Sequence, residues 1–261
     1  MQIKHALVTG GAKRLGRAMA LALAGEGFDV AVHYAGSAEA AAATVAEIEA
    51  LGQRAVALRA DLLDQDATEA LLPRAAEALG GPVTVLVNNA SIFEHDDIAT
   101  ATRDSWDRHI GSNLRAPFFL TQALAAQAPE ASVDENGEPL AEALVVNMID
   151  QRVRKLSPEF TTYTIAKMGL WAFTRTAAQG LAPRVRVNAI GPGPTMQGAR
   201  QSAQHFADQR AATVLKRGAH PSDITAALLY FLHAPAVTGQ LLCIDGGQHL
   251  AWETPDVLGV E

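Results

Sequence analysis

Three ionisable side chains near the middle of the chain have the types and spacing of a proton-transfer site. Tyr163 and Lys167 are four residues apart, and Asp150 ends the apolar run LVVNMID thirteen residues before the tyrosine. Residues four apart share one face of a helix, so the Lys167 ammonium can lower the pKa of the Tyr163 phenol toward the working pH. The spacing therefore makes Tyr163 a candidate proton donor.

The carboxylate of Asp150 favours chemistry at a nitrogen heterocycle. An ionised carboxylate only accepts hydrogen bonds, and it opposes the negative charge that a ketone oxygen gains during reduction. Reduction of a C=N bond instead requires protonation of nitrogen, and a nearby carboxylate stabilises that transition state. The structural alternative is that Asp150 caps its strand or pairs with Arg152 or Arg154 on the surface.

A glycine-rich turn near the amino terminus is typical of a site for a nucleotide phosphate. The first strand-like run leads into TGGAKRLG, where Gly10, Gly11 and Gly16 surround a tight turn and a helix is predicted from about Arg14. Glycines let the backbone approach a pyrophosphate, and free amides at the helix start favour its charge. A sharp loop also uses glycines, but the strand that follows completes a βαβ unit of the kind that binds dinucleotides.

The end of the second predicted strand favours NADPH over NADH. It reads VHYAGS and has no carboxylate to hold the ribose hydroxyls of NADH. Arg14 and Ser37 could instead bind a 2′-phosphate by charge and hydrogen bonding. Asp61, Asn88 and Ala90 follow the third and fourth strands, at the edge where parallel sheets collect ligands. Asp61 could equally cap the next helix.

The elements that must position these side chains alternate regularly. Seven apolar strand-like runs are separated by helical segments, which predicts right-handed crossovers and a doubly wound α/β architecture. The predicted strands are Ile3–Val8, Asp29–His33, Arg54–Leu58, Val83–Val87, Ala143–Met148, Arg184–Ala189 and Leu241–Ile244. We expect one domain over residues 1–261 because no linker interrupts the pattern.

Three other segments have distinct patterns. Residues 37–51 predict an ordinary helix capped by Ser37. Residues 129–139, PEASVDENGEP, are polar and irregular and predict a surface insertion. Residues 192–217 carry few large apolar side chains and could form a lid over a pocket before a new helix begins near Pro221.

Composition excludes several classes of function. A formal net charge of −7 without a basic block argues against nucleic acid as the partner. We expect no membrane segment, because no apolar run is long enough to span a bilayer, and no signal peptide. The single cysteine, Cys243, fits a reducing cytoplasm. No metal site is predicted, because His205, His220, His233 and His249 lack a common helical face or nearby carboxylates.

Together these motifs resemble the short-chain dehydrogenase/reductase family over essentially the whole chain. The matching segments are TGGAKRLG, NNA, SNLRAPF with Asn113, YTIAK, GPGP and VTGQLLCIDGG. Three features resemble the pteridine reductase and dihydromonapterin reductase branch: Arg14 in place of the usual glycine, SIF after NNA, and Asp150 in place of the usual catalytic serine. The resemblance implies a Rossmann-type fold with a seven-stranded, mainly parallel sheet.

The resemblance also implies catalytic roles. Tyr163 would be the proton donor, Lys167 would lower its pKa and hold the nicotinamide ribose, and Asn113 would support a water-linked proton path. Asp150 would act with Tyr163 in proton delivery. The predicted cofactor contacts are Gly10, Arg14, Leu15, Gly16, His33, Tyr34, Ser37, Asp61, Leu62, Asn89, Ala90, Ser91, Tyr163, Lys167, Pro192 and Gly193.

For the substrate, the resemblance implies contacts from both ends of the site. Phe93 would stack on a pterin opposite the nicotinamide, although an aromatic residue after a strand is more often part of the core. Ser91 and Arg14 would contact both the pterin and the cofactor phosphates. The predicted substrate contacts are Arg14, Ser91, Phe93, Asp150 and Tyr163.

The leading prediction is an NADPH-dependent reductase of a dihydropterin such as dihydromonapterin, dihydrobiopterin or dihydrofolate. One alternative is a ketone or sugar reductase, for example of a 3-oxoacyl thioester, in which Asp150 has another role. A second is a non-catalytic NADPH-binding sensor, which would need neither Tyr163 nor Lys167. The segment LWAFTRTAAQGL is apolar on more than one face, and the family resemblance implies a homotetramer through this helix. The tail after Gly247 could also reach a neighbouring subunit.

Overall fold

The computed structural model describes residues 3–198 and 201–253. Residues 199 and 200 of the predicted lid and residues 254–261 of the tail lie outside these ranges. Within them the strands are β1 (His5–Val8), β2 (Asp29–Tyr34), β3 (Ala55–Arg59), β4 (Val85–Asn88), β5 (Ser132–Val133), β6 (Pro139–Leu140), β7 (Ala143–Met148), β8 (Val185–Pro192) and β9 (Leu241–Ile244). The α-helices there are α1 (Arg14–Gly25), α2 (Ala38–Ala50), α3 (Gln65–Leu79), α4 (Arg103–Ile110), α5 (Ala116–Gln127), α6 (Thr161–Leu181), α7 (Ala203–Ala211) and α8 (Pro221–His233).

Seven of these strands form one sheet in the order β3-β2-β1-β4-β7-β8-β9. Every neighbouring pair in it is parallel, so each connection must cross over a face of the sheet. The predicted doubly wound α/β fold with a seven-stranded, mainly parallel sheet is confirmed. The strand order reverses between β1 and β4, which leaves a crevice for ligands at their carboxyl ends.

The two faces of the sheet bury separate apolar cores. In β1, Ala6 and Val8 point into one core and Leu7 into the other, and all three are fully buried. The first core packs α1 and α8 against the sheet, and the second packs α3, α5 and the end of α6. Because both faces are covered, these strands read as continuous apolar runs rather than as alternating ones.

Strand β8 is longer than its predicted range, Arg184–Ala189. It continues to Pro192 because its last two residues pair with Cys243 and Ile244 of the edge strand β9. The extension brings the GPGP segment to the carboxyl edge of the sheet, where ligands are expected to bind. A sequence pattern based on apolar residues misses it, because glycine and proline carry no apolar strand signal.

Two local predictions have mixed outcomes. Ser37 lies at the amino-terminal cap position of α2 as predicted, but its hydroxyl makes no capping hydrogen bond. Residues 129–139 are not wholly irregular, because β5 and β6 pair there as an antiparallel hairpin. The Asp134 carboxylate stabilises its turn by accepting hydrogen bonds from the backbone amides of Asn136 and Glu138, each at 2.8 Å.

Helix α6 carries both Tyr163 and Lys167 and is tied to the centre of the sheet by a buried polar chain. The Asn88 amide donates to the Asn147 side chain at 2.9 Å, and Asn147 donates to the Thr174 hydroxyl at 2.9 Å. These contacts connect β4, β7 and α6. No helix within residues 3–198 and 201–253 is long and apolar enough to cross a membrane.

Candidate active site

The glycine turn between β1 and α1 can form only because one position lacks a side chain. A Cβ added to Gly16 would lie 2.1 Å from the carbonyl oxygen of Gly10. Gly10 itself has a φ of +61°, and Arg14 also adopts a left-handed conformation, with a φ of +52°. The backbone of Gly16 therefore packs directly against the backbone of Gly10, with no side chain between them. The amides at the start of α1 can then bind a ligand.

A buried histidine holds this turn in place. The Gly10 amide donates to Nδ1 of His33 at 3.0 Å, and the other ring nitrogen, Nε2, lies 3.1 Å from the Ala60 carbonyl oxygen. Burial lowers the pKa of His33 to about 4, so the ring is neutral at physiological pH. His33 was predicted as a cofactor contact, but both of its nitrogens bond to the protein, which makes it a support of the turn.

A cleft of about 490 Å³ opens beside the turn. It is lined by Gly10, Lys13, Arg14, Leu15, Gly16, His33, Ala35, Asn89, Ala90, Ser91, Gly193, Thr195 and Met196. Nine of the predicted cofactor contacts are in this set, whereas Tyr34, Ser37, Asp61, Leu62, Pro192, Tyr163 and Lys167 are not. The described lining contains two permanent cations and no carboxylate, which suits a ligand with several phosphates.

Lys13 is a cleft residue that the sequence reasoning missed. It occupies the cap position before α1 and its side chain is exposed. Its position next to Arg14 in the turn is the signal that could have identified it. A second outcome concerns Asp61, whose carboxylate accepts a hydrogen bond from the Leu63 amide at 3.0 Å. The alternative that Asp61 caps α3 is wrong, because Asp64 is the capping residue.

The predicted catalytic acid and tyrosine are in direct contact. The Tyr163 hydroxyl donates to Oδ2 of Asp150 at 3.0 Å, and Oδ1 of Asp150 accepts from the Arg152 amide at 2.8 Å. Asp150 therefore caps the single helical turn at residues 151–153 and also faces the tyrosine. The structural alternative is therefore met only in part, because Asp150 caps a helical turn rather than its strand and forms no salt bridge with Arg152 or Arg154 in the described part of the chain. Its predicted part in proton delivery stays a prediction.

Burial shifts the pKa of each member of this trio. It raises the pKa of Asp150 above its ordinary value and lowers the pKa of Lys167 to about 8. Burial, with the neighbouring Asp150 charge, raises the pKa of Tyr163 well above its ordinary value, although Arg152 and a hydrogen bond with Ser91 oppose this rise. All three shifts favour the uncharged forms.

The pKa of Tyr163 is raised, and not lowered toward the working pH as the spacing of Lys167 predicted. The Lys167 ammonium donates to the Met148 carbonyl oxygen at 2.8 Å and lies 5.6 Å from the centre of the Tyr163 ring. The two residues share a helix face as predicted, but burial and the Asp150 charge determine the direction of the shift. Sequence spacing cannot show how completely the hydroxyl is removed from water.

Comparisons with known proteins agree with this geometry. A family model described as enoyl-(acyl carrier protein) reductase matches residues 10–249. The 3-oxoacyl-[acyl-carrier-protein] reductase FabG of Staphylococcus epidermidis is 32% identical over 252 residues, which cover 95% of this chain and 99% of that protein. The chain belongs to the short-chain dehydrogenase/reductase family.

Solved structures of short-chain reductases include two similar proteins with a more specific description. FolM alternative dihydrofolate reductase 1 from Brucella canis, complexed with NADP, is 40% identical, covers 98% of both chains and superposes with a TM-score of 0.88. The same enzyme from Brucella suis, also with NADP, is 41% identical, covers 97% of this chain and 98% of that one, and has a TM-score of 0.89. The predicted resemblance to the family and to its pterin-reducing branch is confirmed.

In this short-chain reductase, Asn113 lies where the helix between α4 and α5 widens into a π-helical turn, at residues 111–115. Its side chain is fully buried and holds Ile92 on both sides, accepting from the amide at 2.9 Å and donating to the carbonyl at 2.8 Å. Asn113 therefore fixes the loop that follows β4. Its predicted part in a proton path stays a prediction.

Phe93 belongs to an aromatic group beside the tyrosine. Its ring stacks on Phe160 with centroids 4.3 Å apart and planes 8° apart, and it meets the Tyr163 ring edge-on at 4.7 Å. Phe93 is 44% exposed, so the alternative that it belongs to the core is wrong. One face of the ring is covered by Phe160, and its contact with a substrate stays a prediction.

Arg14 contacts the predicted lid rather than standing free. Its guanidinium donates to the carbonyl oxygens of Met196 at 3.0 Å and Gln197 at 2.9 Å. The contact joins the glycine turn to the start of the segment 192–217. Because this link spans more than 180 residues of sequence, local pattern reasoning does not reveal it. The predicted contacts of Arg14 with phosphate and pterin stay predictions.

A buried network that sequence reasoning missed supports the start of α6. Nε2 of His109 accepts from the Glu94 amide at 3.1 Å, and Nδ1 lies 2.6 Å from the Thr162 hydroxyl. The Asp96 carboxylate accepts from both the hydroxyl and the amide of Thr162. This network fixes the residue immediately before Tyr163. No local motif marks it, because its members come from three separate segments.

Proposed function

We propose that this short-chain reductase uses NADPH to reduce a dihydropterin to the tetrahydropterin. The observation that most directly supports the proposal is the 3.0 Å hydrogen bond between the Tyr163 hydroxyl and Asp150 inside a buried site. The two similar FolM structures, described as alternative dihydrofolate reductases with NADP, support the same substrate class and cofactor.

The cleft beside the glycine turn suits NADPH. Gly10 and Gly16 let the backbone approach a pyrophosphate, and the free amides of α1 would bind its oxygens. Lys13 supplies an exposed charge for the 2′-phosphate, and no described lining residue is a carboxylate that would repel it. When bound, NADPH supplies the hydride for the reduction.

Asp150 and Tyr163 would supply the proton. The raised pKa of Asp150 lets this carboxyl hold a proton closer to neutral pH than an ordinary aspartate does. Its contact with Tyr163 provides a route between the two groups. When ionised, the Asp150 carboxylate can also accept hydrogen bonds from the amino and ring N–H groups of a pterin. These properties match the protonation of a ring nitrogen, which distinguishes this reaction from ketone reduction.

Reduction of a 3-oxoacyl thioester is the second candidate, because FabG is 32% identical over nearly the full length of both proteins. The chemistry of Asp150 argues against it. An oxyanion forms when a ketone accepts hydride, and an ionised carboxylate in hydrogen-bonding distance of the tyrosine would destabilise that charge.

A turnover assay separates the two candidates. We expect the purified protein to oxidise NADPH with a 7,8-dihydropterin and to show little activity with a 3-oxoacyl thioester. Tyr163→Phe serves as the control, because it removes the hydroxyl and keeps the ring, and it should lower kcat by a factor of about 100 to 10,000. No turnover with any dihydropterin, together with rapid turnover of the thioester, would contradict the proposal.

We also propose a homotetramer. Large apolar side chains are exposed on two helices: Phe118 on α5, and Ile165 and Met168 on α6, are 39–42% exposed. Burial of these side chains against a second copy of the chain would remove them from water. Sedimentation velocity tests this directly, and a monomeric species at micromolar concentration would contradict it.

A further inference from the structure

Arg152 is a partly buried cation that has no ion-pair partner in the described part of the chain. The guanidinium donates to the Ser157 hydroxyl and to the Glu159 carbonyl oxygen at 3.5 Å. Its Nε atom is buried and has no partner among the described residues. By contrast, Arg54 and Arg108 each contact a carboxylate. The guanidinium of Arg152 therefore forms no salt bridge with a described carboxylate.

Arg152 also contacts Phe160, the outermost ring of the aromatic group that Phe160, Phe93 and Tyr163 form. Its guanidinium carbon lies 5.0 Å from the centre of the Phe160 ring. Phe160 stacks on Phe93, and Phe93 contacts the edge of the Tyr163 ring. Arg152, Phe160, Phe93 and Tyr163 therefore form a continuous series of contacts that ends at the Tyr163 ring. A cation over an aromatic face is attractive, so it stabilises the ring's orientation.

The charge of Arg152 also acts on the proton-transfer pair from close by. Its backbone amide is bonded to Asp150, so the backbone anchors its side chain two residues from the acid. The positive charge lowers the pKa of both Asp150 and Tyr163, against the effect of burial. The effect that was predicted for Lys167 on Tyr163 is one that Arg152 also has.

We propose that Arg152 is a positioning residue that holds Phe160 against Phe93 and places a positive charge beside the Asp150–Tyr163 pair. The expected effect of Arg152 on turnover rests on the proposed pterin reduction. Its expected effect on the titration of Asp150 does not depend on any substrate. Arg152 lies outside the motifs that carry the family resemblance, in the connection between β7, which ends at Met148, and the helix α6 that carries Tyr163.

Other charged or titratable groups also face the pair and must be held constant in a test. They are Lys167 on α6, His109 on α4, whose ring lies 5.9 Å from the Tyr163 ring, and Cys243 on β9, whose pKa is raised in part by the Asp150 charge. Because none of them is changed in the variants below, a shift can be assigned to Arg152.

The test compares Arg152→Met with Arg154→Met. Arg154 is exposed two residues further along and lies 6.0 Å from the Trp171 ring, so its replacement removes the same charge without touching the aromatic group. The Asp150 carboxyl is titrated by infrared difference spectroscopy and assigned with Asp150→Asn. We expect the pKa of Asp150 to rise in Arg152→Met, to stay the same in Arg154→Met, and to be largely restored in Arg152→Lys.

Kinetics give the second readout. With a dihydropterin, we expect Arg152→Met to lower kcat about tenfold, because Phe160 and Phe93 are no longer held beside the Tyr163 ring. The alkaline limb of the pH profile should move upward, because the carboxyl of Asp150 then keeps its proton to a higher pH. Arg154→Met should match the unaltered protein. If Arg152→Met does not fold, Arg152→Gln replaces it, because it keeps a donor for Ser157 without the charge.

An unchanged Asp150 titration in the folded, uncharged Arg152 variant would overturn the proposal. A shift of the same size in Arg154→Met would also overturn it, because the effect would then be one of net charge. If the unaltered protein turns over no dihydropterin, the proposed function fails, and the infrared titration still decides the role of Arg152.

Discussion

The glycine turn and the candidate catalytic site, formed by Asp150, Tyr163 and Lys167, are stabilised by opposite physical means. At the turn, a close backbone approach at Gly16 and a neutral, doubly bonded His33 fix the geometry. In the candidate site, Tyr163 and Lys167 are buried, Asp150 is partly buried, and each has a shifted pKa. The structure of the turn should therefore be most sensitive to added side-chain volume. The candidate catalytic site should be most sensitive to changes in charge.

Added volume at the turn should have the largest effect on stability. Gly16→Ala would place a Cβ 2.1 Å from a backbone oxygen that cannot move without opening the turn. We expect a loss of about 3 kcal/mol or more in the free energy of unfolding, with loss of NADPH binding. Gly25→Ala is the matched control at the other end of α1, because a Cβ there meets nothing within 4 Å. Equal stability of the two variants in urea would contradict this interpretation.

The neutral histidine predicts how stability depends on acid. Its pKa is about 4 in the folded protein and 6.5 ordinarily, so between these values the unfolded chain binds a proton that the folded chain does not. Stability should therefore fall as the pH drops from about 6.5 to 4, by roughly 3 kcal/mol from this group. Urea unfolding across this range measures it. In His33→Gln the free energy of unfolding should change less with pH across this range. An unchanged pH dependence would exclude His33 as its source.

The lowered pKa of Lys167 predicts a second pH range, at alkaline pH, in which the stability of the protein changes. The pKa of Lys167 is lowered from 10.5 to about 8, so the unfolded chain binds the extra proton between these values. Stability from this group should therefore rise as the pH increases from about 8 to 10.5. We expect Lys167→Met to remove the rise while it abolishes turnover. A rise that persists in Lys167→Met would contradict the buried location of the ammonium.

The smallest expected effect is a difference between Lys13 and Arg14, the two cations of the cleft, in how their replacement changes the KM for the cofactor. Lys13 is exposed and ready to meet a phosphate, whereas Arg14 donates to carbonyl oxygens of the segment 192–217. We expect Lys13→Met to raise the KM for NADPH about tenfold and to leave the KM for NADH unchanged. Arg14→Met should raise both, because it releases the segment. If Lys13→Met raises the KM for NADPH and for NADH equally, the lysine does not bind the 2′-phosphate.

Elements that depend on local pattern were predictable from the sequence. All seven strands of the parallel sheet, the start of α1 at Arg14 and the start of α8 at Pro221 were predicted, because apolar runs and helix-start signals are local. The contact between Asp150 and Tyr163 was also predictable. Both residues lie where the parallel-sheet rule places ligands, so only their orientation remained open.

Features that depend on burial or on distant contacts were not predictable. The direction of the Tyr163 pKa shift depends on how deeply the hydroxyl is buried, and spacing along a helix does not contain that information. The stack of Phe93 on Phe160 and the bond from Arg14 to Met196 join segments far apart in sequence. Such contacts become visible only when the packing of the whole domain is known.

Asp150→Ser tests the central claim most directly, because it restores the residue usual in the family and removes the acid from the pocket. The quantity to measure is the ratio of kcat/KM for a 7,8-dihydropterin to that for a 3-oxoacyl thioester, in the presence of NADPH. If Asp150 supplies protons to a ring nitrogen, the ratio should fall at least a hundredfold, with the thioester rate unchanged or increased. A ratio that stays the same would contradict the account.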